Sequence, residues 1–255
     1  MIRGMYTSAS GMLLEQARLD VISNNVASAG ATGFKKDVPV TNSFPEMLIY
    51  RTRNPGFLWG SLEAQLGPVG TGAVVSESVP DMTKGPGKET GNPLDVLVPD
   101  DAFLVVMTAT GERYTKNGNL TIGSDGRLMT QDGDPVLGEA GEIQLGEGKR
   151  AEISPEGAVL EDGNEVDRLR VVRFRDPVRL AKFSTTTFRQ TEDSGNPEQV
   201  EAPSLKPGCI EMSNVNPVIE MVEMISVMRA YEANQRLLQS QDQTLDKAVN
   251  EIGRV

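Results

Sequence analysis

The sequence predicts an α+β fold: a helix at each end of the chain, the two packed together as a coiled coil, with an all-β domain inserted between them. Three observations predict it. Apolar residues recur at helical spacing over 1–36 and again over 206–255. The centre is instead cut into short apolar runs by Gly and Asp-Gly turns. Charge divides the same way. Residues 1–36 carry four basic and two acidic side chains, net +2, and residues 206–255 carry five and seven, net −2. The whole chain of 255 residues carries −11, so 37–205 must also carry −11. Near-neutral ends suit protein–protein packing, and an acidic centre suits a solvated surface.

The N-terminal helix is expected within 1–36. Its stripe runs Ile2, Met5, Ala9, Met12, Leu19 and Val26, with Gln16 and Ser23 filling the positions between. The pattern stops at Gly30 and Gly33. Gly4 and Gly11 lie inside it, and each costs about 1 kcal/mol against Ala, so the helix needs a partner. Asn24 and Asn25 are poor helix formers and are expected to bond neighbouring backbone or side chains.

Residues 37–80 are expected as an extended connector, overlapping a Gly/Pro-rich stretch of roughly 53–93 that is marked by Asn54-Pro55-Gly56, Gly67-Pro68 and Gly85-Pro86-Gly87. A β-rich outer domain is expected over 81–205. Its strand candidates are Leu94–Val98, Phe103–Met107, Asn119–Ile122, Leu128–Thr130 and Leu169–Phe174, with Asp125-Gly126, Asp132-Gly133 and Asp162-Gly163 as turns.

The C-terminal helix is expected within 206–255. Asn216 can cap it, Pro217 suits its first position, and Gly253 ends it. Its stripe is Met221, Met224, Met228, Tyr231, Gln235, Leu238, Asp242, Leu245, Val249 and Ile252, with spacings that alternate three and four. From 217 to 252 such a helix is about 54 Å long. Asp242 on a buried seam would be costly alone, so it is expected to meet Arg3 or Arg18 of the first helix.

Most chemistry is excluded by what the chain contains. With no His and a single Cys, Cys209, there is no His-based triad, no His-ligated metal and no thiolate cluster. Gly85-Pro86-Gly87-Lys88-Glu89-Thr90 echoes a phosphate loop, yet Glu89 follows Lys88 where Ser or Thr is needed. Asp125, Asp132 and Asp134 do not fit a calcium loop. No catalytic, cofactor or metal residue is assigned, and no enzyme activity is expected. The acidic balance speaks against nucleic acid as a partner, and no apolar run is long enough to insert in a membrane.

Specific segments then carry a resemblance. Leu19-Asp20-Val21-Ile22-Ser23-Asn24-Asn25-Val26-Ala27 with Thr32-Gly33-Phe34-Lys35-Lys36 resembles the N-terminal signature of bacterial flagellar rod and hook proteins. Ser213-Asn214-Val215-Asn216, Arg229-Ala230-Tyr231-Glu232-Ala233-Asn234 and Asp242-Gln243 resemble the family's C-terminal signature. Between them, Gly91-Asn92-Pro93-Leu94-Asp95-Val96, Tyr114-Thr115-Lys116-Asn117-Gly118-Asn119-Leu120, Asp125-Gly126-Arg127-Leu128 and Gly133-Asp134-Pro135-Val136-Leu137-Gly138 match in the family's order. One departure is the turn Pro99-Asp100-Asp101-Ala102, where the family commonly has a Gly-containing turn; Asp is expected to hold it.

The resemblance implies a structural subunit of the flagellar basal-body rod, self-assembling through its terminal helices. Those helices would line an inner tube and the β domain would project outward. It implies a homo-oligomeric helical assembly, other axial proteins of rod and hook as partners, and a periplasm-spanning location. Export would run through the flagellar type III apparatus without a cleaved signal peptide. Length favours rod over hook. The start Met1-Ile2-Arg3 and the segment Gly70-Thr71-Gly72-Ala73-Val74 resemble the distal rod protein, while the short 140–205 region resembles the proximal one. The assembly interface is expected to use Ile2, Met5, Met12, Leu19, Asn24, Asn25, Val26, Met221, Met224, Met228, Tyr231, Leu238, Asp242, Leu245, Val249 and Ile252. The competing reading is an oligomeric binding module, a β domain that acts as an adhesin or carbohydrate binder.

Overall fold

A computed structural model describes residues 2–51, 64–146 and 150–252. The side chains of Ile2, Arg3 and Ile252, and the whole of Gly253, lie outside what is described. The chain divides into two units. One comprises 1–23, 39–78 and 221–255; the other comprises 24–38 and 79–220.

Helix α1 spans Ile2–Ala27. Four strands follow: β1 (Asp37–Ser43), β2 (Met47–Arg51), β3 (Ala64–Val69) and β4 (Ala73–Pro80). β1 pairs with β4, and β2 lies antiparallel to β3. In the span expected as an extended connector, the described residues 37–51 and 64–80 thus form paired strands, and Asn54-Pro55-Gly56 lies outside the described residues.

The second unit continues with β5 (Gly87–Glu89), β6 (Val96–Leu97), β7 (Ala102–Thr108), β8 (Gly111–Thr115), β9 (Leu120–Ile122) and β10 (Leu128–Thr130). Then come β11 (Ala151–Ile153), β12 (Ala158–Glu161), β13 (Asn164–Arg168) and β14 (Val171–Arg173). The last are β15 (Ala181–Lys182), β16 (Thr187–Arg189), β17 (Glu198–Gln199), β18 (Lys206–Pro207) and β19 (Cys209–Glu211). Helix α2 spans Pro217–Lys247. The candidates Leu94–Val98, Asn119–Ile122, Leu128–Thr130 and Leu169–Phe174 contain β6, β9, β10 and β14, and Phe103–Met107 lies within the longer β7.

The main sheet has six strands in the order β15-β16-β8-β7-β14-β17. Strand β7 explains its stability. Its run Ala102-Phe103-Leu104-Val105-Val106 is buried without a break, because both faces of the sheet are covered. Ala102, Leu104 and Val106 point into one cluster with Val96, Leu128, Ile143 and Val171. Phe103 and Val105 point into another with Tyr114, Phe174 and Phe188. Phe103 meets Phe174 and Phe188 edge to face, at ring distances of 5.7 and 5.9 Å. Burying one such side chain is worth about 1.5–3 kcal/mol. The Asp162-Gly163 turn between β12 and β13 takes positive φ at both residues, 50° and 86°, as a tight hairpin requires.

Strands β18 and β19 pair with β6 and β5. Residues 206–211 therefore belong to the β ladders and not to the approach of α2. The Pro99-Asp100-Asp101-Ala102 turn closes through an Ala102 N–H to Pro99 O bond of 3.1 Å. Neither Asp adopts a left-handed conformation; among described non-Gly residues only Asp162 does. The turn survives the loss of Gly because it takes a form that does not need one.

Candidate functional site

The two motif regions at the ends of the sequence meet in space, within the unit 24–38 plus 79–220. Asn25 lies near the C-terminal end of α1 and is buried. Its side chain grips the backbone of Asp37: Oδ1 accepts from Asp37 N at 2.9 Å and Nδ2 donates to Asp37 O at 2.9 Å. Nδ2 also reaches Glu220 in the first turn of α2, at 3.4 Å. The chain then bends through Gly33, whose φ is +69°. A Cβ there would stand 2.5 Å from the backbone nitrogen of Asn117, so Gly33 is held both by its conformation and by close backbone approach.

Phe34-Lys35-Lys36-Asp37 follows, and it is where charge is buried. Lys35 is 1% exposed and its partner Glu211, on β19, is also 1% exposed. The ammonium donates to Glu211 Oε1 at 2.7 Å and to Thr83 O at 2.8 Å, and the same Oε1 accepts from Gly85 N at 2.8 Å. Lys36 pairs with Glu220 at 2.5 Å, and its backbone N–H donates to Asn214 Oδ1 at 2.7 Å. Lys182, on β15, pairs with Asp37 at 2.8 Å and stands 3.7 Å over the ring of Phe34. Burial pulls the Lys182 ammonium below its ordinary range, and the bond to Asp37 opposes that pull.

Three ammonium groups thus meet three carboxylates. Charges taken out of water persist only when paired and hydrogen-bonded, and removing one partner leaves the other stranded. The arrangement is a lock on the roots of both helices. Among the described residues no group of three acidic or sulfur side chains is placed to hold a metal ion. Beside the lock, Lys116 is buried too, and its ammonium donates to Pro99 O at 2.7 Å and Asp100 O at 2.8 Å. It faces the ring of Phe103 at 4.5 Å. Burial pushes its pKa down to about 8.

The first turn of α2 is built as its sequence dictates. Asn216 Oδ1 accepts from Val218 N at 3.1 Å and Ile219 N at 3.4 Å. Pro217 sits at the first helical position, where no donor is lost. Glu220 in that turn also complements the helix dipole.

In the other unit, α1 and α2 meet in reversed order, hence antiparallel. A Cβ on Gly4 would lie 2.5 Å from Gln241 Nε2, and one on Gly11 would lie 3.0 Å from Asn234 Nδ2. Arg18 reaches Glu223 at 3.4 Å while also pairing with Glu15 at 3.2 Å. The glycines that weaken α1 therefore give room to polar side chains of α2.

The faces differ from the expected ones by one residue. On α2 the more covered line is Glu220, Met224, Val227, Tyr231, Asn234, Leu238, Gln241 and Leu245. Met224, Tyr231, Leu238 and Leu245 were expected there. Met221, Met228, Asp242 and Val249 were expected beside them and are exposed. Asp242 is not seated against Arg18, which is held by Glu15 and Glu223. On α1, Met5, Met12, Leu19 and Val26 are half-buried, while Ser8, Ile22 and Asn25 are the buried positions. Asn25 is bonded as expected; Asn24 is exposed, its side chain donating to Asp37 Oδ2 at 3.5 Å and its backbone O accepting from Ser28 N at 3.0 Å.

Lys35, Lys36, Asp37, Glu211 and Glu220 were not singled out as site residues. Lysine and glutamate are rarely buried, so no hydropathy pattern marks them. The available signal is the place of Lys35 and Lys36 inside the Thr32–Lys36 motif; Asp37, Glu211 and Glu220 lie just outside the quoted motifs.

Three family models match the chain. "Flagella basal body rod protein" covers residues 5–35, "Flagellar hook protein FlgE/F/G D1 domain" covers 98–161, and "Flagellar basal body rod FlgEFG protein C-terminal" covers 206–251. Curated relatives match from end to end. The flagellar hook-basal body complex protein FlhO of Bacillus subtilis is 33% identical, over all of both chains. The flagellar basal-body rod protein FlgG of Borreliella burgdorferi is 32% identical over 98% of each. The flagellar basal-body rod protein FlgF of Caulobacter vibrioides is 30% identical over all of both.

Proposed function

The chain belongs to the flagellar basal-body rod protein family, and from that premise we propose that it is a structural subunit of the flagellar rod, the axial shaft between motor and hook. It works by assembly and not by catalysis. Copies associate through their terminal helices as a coiled-coil inner tube, in a helical array with other axial proteins, within the basal body. Export through the flagellar apparatus without a cleaved signal belongs to the same reading. The expected interface positions Met5, Met12, Leu19, Met221, Met228 and Val249 would then meet neighbouring copies.

One observation carries the proposal. The roots of both helices are locked by buried ion pairs, whereas the helices themselves keep large apolar side chains in the open: Tyr6 is 71% and Leu13 68% exposed. A subunit that must pass force between a shaft and an outer domain needs a stiff root and adhesive helices. The adhesin alternative gains no support from the relatives named above. The test is an in-frame deletion in a motile host, with basal bodies imaged by electron microscopy. Loss of the rod and of motility, restored by the wild-type chain, is expected. Complete rods and normal swimming in the deletion strain would overturn the reading.

A further inference from the structure

The unit 1–23, 39–78 and 221–255 carries two separate apolar surfaces. One is a groove of about 540 Å³ between α1 and the β2–β3 ladder. Tyr6, Ala9 and Leu13 form one wall, and Phe44, Met47 and Val69 form the other. None of the described residues that line it is charged. The other surface is a ridge on α2, Met221, Val222, Ile225 and Met228, all exposed. Its spacing puts these residues on one helix face. The acidic neighbours of the ridge are turned away from it: Glu220 is buried against Lys36, and Glu223 meets Arg18.

The ridge does not line the groove of its own chain; α2 meets α1 on another face, through Glu223, Asn234 and Gln241. The sizes agree. The ridge runs about 10 Å from Met221 to Met228, and the α1 wall about 13 Å from Gly4 to Leu13. An amphipathic helix laid in an apolar groove is a recurrent recognition mode, read through anchors at these spacings. Because groove and ridge are different surfaces, a contact between copies is head-to-tail and leaves a free groove at one end and a free ridge at the other. That is the contact a growing shaft requires.

Resting on the rod reading above, we infer that the groove between α1 and the β2–β3 ladder receives the Met221–Met228 ridge of α2 from a second copy of this chain. Cross-linking tests it. Leu13→Cys and Ile225→Cys lie at exposed sites, and the one native cysteine, Cys209, is buried, so the wild-type chain is the blank. In oxidised assemblies, a mixture of the two single variants should give covalent dimers, and the double variant a ladder. Dimer yield no higher than for Val166→Cys mixed with Ile225→Cys would overturn the contact. A charge swap gives an independent reading. Leu13→Lys alone and Ile225→Glu alone should each lower the sedimenting fraction about tenfold, the equivalent of 1.4 kcal/mol, and the two in one chain should restore it. Singles without effect, or a double no better than the singles, would overturn it. If the wild-type chain enters basal bodies and these tests fail, only the contact is wrong. If the wild-type chain never enters basal bodies, the rod reading itself fails.

Discussion

The β unit and the helical unit treat their apolar residues in opposite ways. In the β unit, Phe103, Leu104, Val105 and Val106 on β7 are wholly covered, from both faces of one sheet. In the helical unit, Tyr6, Leu13, Met221, Val222, Ile225 and Met228 stay in the open. Charge is inverted as well. The β unit buries Lys35 against Glu211, whereas the helices line their mutual contact with Gly4, Gly11, Asn234 and Gln241. A chain folded only for its own stability would place the apolar stripe between its helices. Here Gly4, Gly11, Asn234 and Gln241 interrupt the covered line, which also carries Met224, Val227, Tyr231, Leu238 and Leu245, while Tyr6, Leu13, Met221, Val222, Ile225 and Met228 stay outside it, and the proposed association between copies would use them.

The largest test of that contrast is to break the lock. Lys35→Met strands the Glu211 carboxylate in a site 1% exposed and should cost about 3–5 kcal/mol. Lys35→Met with Glu211→Leu should recover most of it, because the pair as a whole is close to neutral against apolar residues. Urea unfolding followed by circular dichroism measures both. A double variant as unstable as the single would mean that lost packing and not stranded charge sets the cost.

Next come two glycines that look alike in the sequence. Gly33→Ala meets backbone and a positive φ, and should cost at least about 1–3 kcal/mol. Gly11→Ala meets only the movable end of Asn234, and the helix gains about 1 kcal/mol of propensity, so helix content should rise. Equal effects at the two sites would remove the distinction between a rigid joint and an adaptable helix pair.

That difference also explains what was legible. The strands and their Asp-Gly turns were readable because β7 and its neighbours answer to one demand, coverage by a core. The α2 cap was readable from Asn216-Pro217 for the same reason: its chemistry is local. The helix faces are only half legible: Met224, Tyr231, Leu238 and Leu245 lie on the intrachain covered line, while Met221, Met228, Asp242 and Val249 stay outside it, because a stripe does not say which contact it serves. The lock was not legible. Phe34-Lys35-Lys36-Asp37 has no periodicity, and its partners are Lys182, Glu211 and Glu220, so only the fold joins them.

A smaller effect should appear with pH. Lys116 titrates near 8 when folded, below the ordinary lysine value near 10.4. Between those values the unfolded chain binds more protons, so this residue makes stability rise with pH across the window. Below pH 8 both states are protonated and the slope vanishes. The contribution is at most about 1.4 kcal/mol per pH unit. Lys116→Met should remove it, and the difference between wild-type and variant slopes between pH 8 and 10 isolates this group from Lys182. Parallel slopes would show that the Lys116 amine is solvated.

The smallest expected effect on the chain itself is at Asp242. Its place on the 3–4 spacing of α2 predicts a buried seam position paired with Arg3 or Arg18. The structure leaves it exposed, one step from the covered line through Gln241 and Leu245. Asp242→Leu should therefore change the stability of the isolated chain by no more than about 0.5 kcal/mol. Leu245→Ala, on the covered line but only half-buried, should cost more than that and less than the 2–5 kcal/mol of a fully packed site. The assembly gives a second readout. If Asp242 faces another copy, Asp242→Leu will keep the chain folded and stop or misdirect rod growth. If it faces water in the rod as well, swimming will be normal. A loss of stability in the isolated chain as large as that of Leu245→Ala would show that the helix face was assigned to the wrong side.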